Sequence, residues 1–375
     1  MYRFIHSSDL HIGKRFGNLE DEDLRGRLRE ARHGAIDRLA AQARTNDAAA
    51  ILLAGDTFDT ETPSPAILRQ ALAAMAAHAP LRFVILPGNH DSLVADELWA
   101  AMRKALPDNV TLAVEPVPLS LASGIVLLPA PCTARRPGRD LSEWMDGADT
   151  ADGAIRIGLA HGAIQNFSED DAGTDVIAPD RATRARLDYL ALGDWHGQMQ
   201  VNARTWYSGA PEPDRFKHRI PGQALLVALE APGAPPVVTP VPSAQFAWQM
   251  LDLDLLADDD AASLLSARLA SGPLRRQTLL RVTLTGRCSL AGRTALAAAL
   301  EAVKPEFALL DIDDDNLVTE CAQDDLDAID RSGALRQAAE TLMAESTDEA
   351  RDPATREIAR QALLRLFSYS GGTGP

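Results

Sequence analysis

Ten side chains of metal-binding type stand in short polar turns between residues 9 and 196. They occur in Asp9-Leu10-His11, Gly55-Asp56-Thr57-Phe58-Asp59, Gly88-Asn89-His90-Asp91, Ala160-His161-Gly162 and Gly193-Asp194-Trp195-His196. A lone Asp-x-His or Gly-Asp is common by chance, whereas the ordered set is not. Carboxylate and amide oxygens mixed with imidazole nitrogens suit Mn²⁺ or Fe, admit Zn²⁺ and disfavour Ca²⁺. Two cations ~3.5–4 Å apart can hold a phosphate and activate a water between them. A carboxylate, with two oxygens, can bridge such a pair.

The elements that must position these groups can be read from the apolar pattern. Tyr2–Ile5, Ala49–Leu53, Phe83–Leu86, Ile125–Leu128, Ile155–Leu159 and Leu187–Leu192 read as buried strands. Leu24, Leu28, Ala31, Ala35 and Leu39 recur at helical spacing, and Ser64-Pro65 reads as an N-cap and first helical residue. Alternating strands and helices predict an α/β layer architecture. Asp9, Asp56, Asn89, His161 and Asp194 each fall just past an apolar run. In α/β sheets, sites form outside the carboxyl ends of the strands, which would gather these residues into one cleft.

A Pro-rich stretch at Glu230–Pro242 marks a boundary. Beyond it, residues 245–324 read as a small α+β domain and 325–375 as helical, with a last helix opening at Asp352-Pro353. The formal net charge of −16 argues against a chain that grips nucleic acid by bulk charge alone. Three scattered cysteines argue against a disulfide framework and point to a reducing cytoplasm. No apolar run approaches a membrane span, so no membrane partner is expected.

The segment Phe4-Ile5-His6-Ser7-Ser8-Asp9-Leu10-His11-Ile12-Gly13-Lys14 and the segment Leu190-Ala191-Leu192-Gly193-Asp194-Trp195-His196, followed by Tyr207-Ser208-Gly209, resemble the calcineurin-like metallophosphoesterases. Within that superfamily the chain looks most like the SbcD and YhaO-type DNA-repair exonuclease subunits. The resemblance implies a four-layer αββα sandwich over residues 1–244, a small α+β capping domain over 245–324 and a C-terminal helical partner-binding segment over 325–375. It further implies phosphodiester hydrolysis by a two-metal-activated hydroxide, most naturally with Mn²⁺. Asp56 would bridge the metals. Asp9, His11 and His196 would complete the first site, and Asn89, His161 and Asp194 the second. His90 would donate a proton to the leaving oxygen, with Asp59 as the acceptor that orients it and Asp91 as the runner-up. Most relatives carry His where this chain has Asp194, a harder and shorter ligand. The implied partners are DNA, an SMC-like coiled-coil ATPase of SbcC type and a second copy of the chain.

Several features also have ordinary readings. His6 reads as a core histidine. Asp311–Asn316 lacks the glycine and terminal glutamate of a calcium loop and reads as a solvated turn. Lys14, Arg15, Arg215 and Lys217, with Arg135, Arg136, Arg139 and Arg219, read either as phosphate contacts or as solvated loops. Two other functions compete with the nuclease: a phosphoesterase acting on nucleotides or cyclic nucleotides, and a non-catalytic scaffold on the same fold.

Overall fold

The computed structural model describes residues 1–164, 176–218, 221–269, 273–320 and 323–371. The chain divides into two compact units, Met1–Ala247 and Trp248–Pro375. Unit one contains two six-stranded sheets. In spatial order the first is β14 (Val237–Pro242), β13 (Gln223–Leu229), β1 (Tyr2–Ser7), β2 (Ala50–Leu53), β3 (Arg82–Ile85) and β4 (Val110–Leu112). Strands β1 to β4 are parallel, and β13 and β14 extend the sheet in antiparallel fashion. The second sheet is β11 (Met199–Asn202), β12 (Thr205–Tyr207), β10 (Tyr189–Gly193), β7 (Ile155–His161), β6 (Ile125–Ala130) and β5 (Leu119–Ala122). Its central strands β6, β7, β10 and β12 are parallel. The short β8 (Ala163–Ile164) and β9 (Val176–Ile177) pair separately.

The two-residue period of a strand divides its side chains between two cores. On β2, Ala50 and Leu52 join Phe4, Val84, Leu127, Ile157 and Leu225 between the sheets. Ile51 and Leu53 join Ile5, Phe83 and Ile85 beneath the helices α1 (Glu22–Thr45), α2 (Pro65–Ala76) and α3 (Asp96–Lys104). Leu128, Leu190 and Leu192 face the other way, under a thinner cover that includes Met145 and the short helix α4 (Arg181–Arg184). The result is the expected αββα sandwich, its fourth layer much reduced. The helix α2 begins as its sequence predicts, and α1 opens on a cap that the apolar spacing does not mark. The Asp21 carboxylate accepts from the Leu24 N–H at 3.0 Å, and the Ser64 hydroxyl accepts from Ile67 at 3.3 Å.

Unit two is a three-stranded sheet, β15 (Ala247–Leu255), β16 (Thr278–Ser289) and β17 (Leu309–Glu320), with α5 (Ala261–Arg268) and α6 (Leu290–Val303). The helices α7 (Gln323–Ile329), α8 (Ala334–Thr347) and α9 (Pro353–Gly371) belong to the same unit, with Leu290, Leu326, Ile329, Ala339 and Leu363 as their shared core. One expectation is corrected here. Asp311–Asn316 is not a turn but the middle of β17, paired in parallel with β16. Arg281 meets the Asp311 carboxylate at 2.7 Å and Arg293 pairs with Asp314, which offsets the charge that would oppose a strand. Among the described residues no helix is long and apolar enough to cross a membrane.

Candidate metal centre

All five polar turns leave the carboxyl ends of parallel strands, three from the first sheet (β1, β2, β3) and two from the second (β7, β10). Main-chain hydrogen bonds lock the turns together. Asp9 N–H donates to Gly55 O at 3.1 Å, His11 N–H to Asp56 O at 2.9 Å, and Gly162 N–H to Gly193 O at 3.1 Å. The Asp91 carboxylate accepts from Gly88 N–H at 2.7 Å and Phe58 N–H at 3.0 Å, so it braces two turns. Asp9, His11, Asp56 and Asp194 have φ of +56°, +44°, +53° and +102°, a backbone region uncommon for residues with a Cβ. Such strain concentrates where a site demands a fixed geometry. Packing at the turns leaves no spare room. A Cβ on Gly88 would lie 2.1 Å from Asp56 Oδ1, and one on Gly193 would lie 2.1 Å from Ala54 O.

The seven candidate donors converge as two overlapping groups. In the first, His11 Nε2 lies 3.2 Å from His196 Nε2, and Asp9 Oδ1 stands 4.0 Å and 3.8 Å from these two nitrogens. In the second, His161 Nε2 is 3.8 Å from Asp194 Oδ1, which is 3.5 Å from Asn89 Nδ2. Asp56 joins the groups through a single oxygen: Oδ2 lies 3.6 Å from both His11 Nε2 and His161 Nε2. Its other oxygen accepts from the His90 N–H at 2.8 Å.

These residues fit divalent cations. The His161 Nδ1–H donates to Ala54 O at 2.8 Å, which turns Nε2 toward Asp56 and Asp194, and among the described residues that buried atom has no hydrogen-bond partner. Asn89 Oδ1 is likewise buried and unpartnered. A buried acceptor left without a donor costs about 1–3 kcal/mol. His11 Nδ1 faces Asp59 Oδ1 at 3.3 Å and His196 Nδ1 faces Asp214 Oδ1 at 3.2 Å. With their protons on Nδ1, the two Nε2 lone pairs point at each other, an arrangement that a cation between them relieves. Proton affinities express the same crowding. Burial, with Asp91 and Asp9 nearby, holds the Asp56 carboxyl well above its ordinary value. Burial works against a charged His161, yet Asp56, Asp9 and Asp194 push it up to about 9. His11, where burial dominates, falls to about 3.

His90 stands beside these groups, its ring edge-on to His11 with centroids 4.8 Å apart. Its Nδ1–H donates to an acceptor on Asp59, but that acceptor is the main-chain carbonyl at 2.9 Å. The Asp59 carboxylate turns instead to His11 Nδ1 and to Lys14 Nζ, 3.8 Å away. His6 is a buried core residue: its Nε2–H donates to Leu192 O at 3.1 Å and its Nδ1 accepts from Tyr189 Oη–H at 3.0 Å.

The basic residues divide. Lys14 Nζ is held 2.9 Å from the Asp214 carboxylate, and Arg215 Nε lies 3.1 Å from it, so both belong to an ion-pair cluster at the centre's edge. Arg15, Arg135, Arg136 and Arg139 are exposed. Lys217 Nζ stands 6.0 Å over the Trp195 ring. Arg219 lies outside the described residues. Two residues that local sequence does not reveal are Asp214 and the fully buried Arg32, which touch the centre from Pro211-Glu-Pro-Asp214 and from the middle of α1. Only the proximity of the former to Tyr207-Ser208-Gly209 could have marked it.

Fold and donor set together define a metal-dependent phosphoesterase. Residues 2–222 match the model of the calcineurin-like phosphoesterase family, and the chain belongs to that family. Among curated proteins it is similar to the D subunit of the SbcCD nuclease of Bacillus subtilis (strain 168), with 25% identity over 275 residues, 62% of this chain and 67% of the relative. The protein of the same name in Rhodobacter capsulatus is 28% identical over 261 residues, 56% of this chain and 62% of the relative. "DNA double-strand break repair protein Mre11" of Haloferax volcanii is 25% identical over 328 residues, 84% of this chain and 69% of the relative. The chain thus matches only about two thirds of these relatives' lengths.

Proposed function

We propose that this chain is a DNA-repair nuclease subunit that hydrolyses DNA phosphodiesters, chiefly as an exonuclease, with two Mn²⁺ ions. Asp9, His11 and His196 would hold one ion and Asn89, His161 and Asp194 the other, and Asp56 would serve both. When bound there, two divalent cations would supply charge to hold a phosphate and to acidify a water near neutral pH. The chain's own residues do the rest. His90, oriented by the Asp59 carbonyl, donates a proton to the leaving oxygen. Arg15 and Lys217, both exposed, offer cations to the backbone of the substrate, and the paired Lys14 and Arg215 contribute to the field at the centre's edge.

The observation that carries the two-ion reading is the position of Asp56 Oδ2, equally far from donor nitrogens of both groups. DNA as substrate is supported by the Mre11 similarity. It spans 84% of the chain, more than unit one alone supplies, so it extends into unit two. The name of the SbcCD relatives, a D subunit, supports a companion subunit, which we take to be a coiled-coil ATPase of SMC type; a homodimer rests on the family resemblance alone. The test is cleavage of duplex ends in Mn²⁺ by purified protein and by His90→Ala. The expected loss in the variant is about 10²–10⁴-fold with Mn²⁺ binding retained. Clean protein that hydrolyses small phosphodiesters but no DNA would reject DNA as the substrate.

A further inference from the structure

Behind the donors lie three buried charges, Arg32, Glu212 and Asp214, that the proposed chemistry does not use. Asp214 is closed to solvent and its Oδ1 stands 3.2 Å from His196 Nδ1. Lys14 at 2.9 Å, Arg215 at 3.1 Å and Arg32 at 3.5 Å surround the same carboxylate. Arg32 reaches further. From the middle of α1 its Nη1 donates to Leu10 O at 2.6 Å and to Asp9 O at 3.3 Å, and its Nη2 donates to Glu212 O at 3.0 Å. Glu212 is anchored in turn, with Arg38 at 2.6 Å and the Gln245 and Phe246 N–H groups at 2.7 Å and 2.8 Å.

One guanidinium therefore ties together two segments far apart in sequence. One is the turn that carries Asp9 and His11. The other is the segment whose Asp214 faces His196. Both Asp9 and His11 lie on left-handed backbone, and the carbonyls beside them are buried. Without Arg32 those carbonyls would lack these donors. A lysine could not replace it, since a single ammonium lacks the planar fork that addresses carbonyls and a carboxylate at once. The hydrogen bond from a ligand histidine to a carboxylate fixes both its tautomer and its ring orientation.

We propose that Asp214 and Arg32 are positioning residues for one half of the centre. Asp214 orients His196 against His11, and Arg32 locks the Asp9–His11 turn to the Asp214 segment, so that this half-site is shaped before a cation arrives. The proposal rests on the reading of Asp9, His11, Asp56 and His196 as cation ligands. It makes no use of the substrate.

The experiment titrates metal-free protein with MnCl₂ by calorimetry, with electron paramagnetic resonance of the loaded samples. Wild type, Asp214→Asn, Asp214→Glu, His196→Ala and the Asp214→Asn/His196→Ala double variant are compared. Thermal unfolding in EDTA is measured on each. Asp214→Asn keeps the size of the side chain and removes its charge. Asp214→Glu keeps the charge and misplaces it. Each is expected to leave one Mn²⁺ affinity as in wild type and to weaken the other about 10–100-fold. At two equivalents, the exchange-coupled spectrum of wild type should give way to a mononuclear one. The double variant should bind no worse than His196→Ala alone, because Asp214 acts through His196. Affinities within threefold of wild type, equal weakening of both ions, or additive losses in the double variant would overturn the proposal. If Asp214→Asn does not fold, Asp214→Glu decides by the same criteria. Failure of wild type to bind Mn²⁺ would instead overturn the ligand reading on which the proposal stands.

Discussion

Replacing Asp59 by alanine separates two roles that its sequence position makes look like one. Three residues after Asp56, its carboxylate is the natural acceptor for His90. On that view Asp59→Ala should cost nearly as much as losing the proton donor itself, about 10²–10⁴-fold. The geometry argues otherwise. The His90 Nδ1–H ends on the Asp59 carbonyl at 2.9 Å, which alanine retains. What alanine removes is the carboxylate 3.3 Å from His11 Nδ1 and 3.8 Å from Lys14 Nζ. The Lys14 contact is long and partly solvated, hence weak. The His11 contact orients a proposed metal ligand, and its loss should weaken metal binding about 10–100-fold, or about 1.4–2.7 kcal/mol. The assay is the Mn²⁺ activation curve for hydrolysis of an activated phosphodiester by wild type, Asp59→Ala and His90→Ala. Asp59→Ala should need about 10–100-fold more Mn²⁺ for half-maximal rate, yet reach within about threefold of the wild-type rate at saturation. His90→Ala should show the wild-type Mn²⁺ dependence and a maximum at least 100-fold lower. An Asp59→Ala maximum as low as that of His90→Ala would refute the argument, since the carboxylate would then be supporting the proton donor after all.

Three further predictions test other links. Gly193→Ala places a Cβ 2.1 Å from Ala54 O, the acceptor of His161, and should lower stability by about 1–3 kcal/mol. Gly26→Ala in α1 meets nothing nearer than 3.9 Å and should raise stability by about 0.5–1 kcal/mol. Thermal unfolding compares the two, and a stable Gly193→Ala would show that the turn relaxes. Asp194→His should move metal preference at the second group away from Mn²⁺ toward softer ions; unchanged stoichiometry and preference on titration would remove Asp194 from the ligand set. Asp140 gives an acid-side test. Burial opposes its charge, but hydrogen bonds from Ser142 and Arg181 hold its carboxyl below the ordinary value. A depressed folded value means that the unfolded chain takes up the proton first. The stability that wild type holds over Asp140→Asn should therefore be constant above about pH 5 and shrink as pH falls through 4 and below. A difference that grows on acidification would reverse the sign and refute the assignment.

What the sequence discloses and what it hides follow from how far each property reaches along the chain. Asp9, Asp56, Asn89, His161 and Asp194 are legible because a β-strand is a local object. An apolar run ends, the chain turns at the sheet's edge, and a polar residue left there has few purposes other than a site. The αββα layering is legible for the same reason, since fully apolar runs such as Ala50–Leu53 imply cover on both faces. Direction of a side chain is a different matter. Lys14, three residues past His11, reads as a cation for phosphate, but whether its ammonium points outward depends on an Asp214 two hundred residues later. Arg32 sits among Leu28, Ala31, Ala35 and Leu39 on the buried face of α1, where charge is normally excluded. It is tolerated there because carbonyls of two turns and a carboxylate converge on it. Asp311–Asn316 misleads in the opposite sense. A run of acids resists a strand only until its partners are counted, and Arg281 and Arg293 come from β16 and α6. In each case the hidden term is the counter-charge. A sequence shows the candidate ligands of a centre because they are motifs. It conceals the residues that hold those ligands still, because these are defined by a partner rather than by a neighbour. Arg32 is therefore the sharper test of the fold's contribution: no motif contains it, yet its guanidinium reaches both the Asp9 and Leu10 carbonyls and the Asp214 carboxylate.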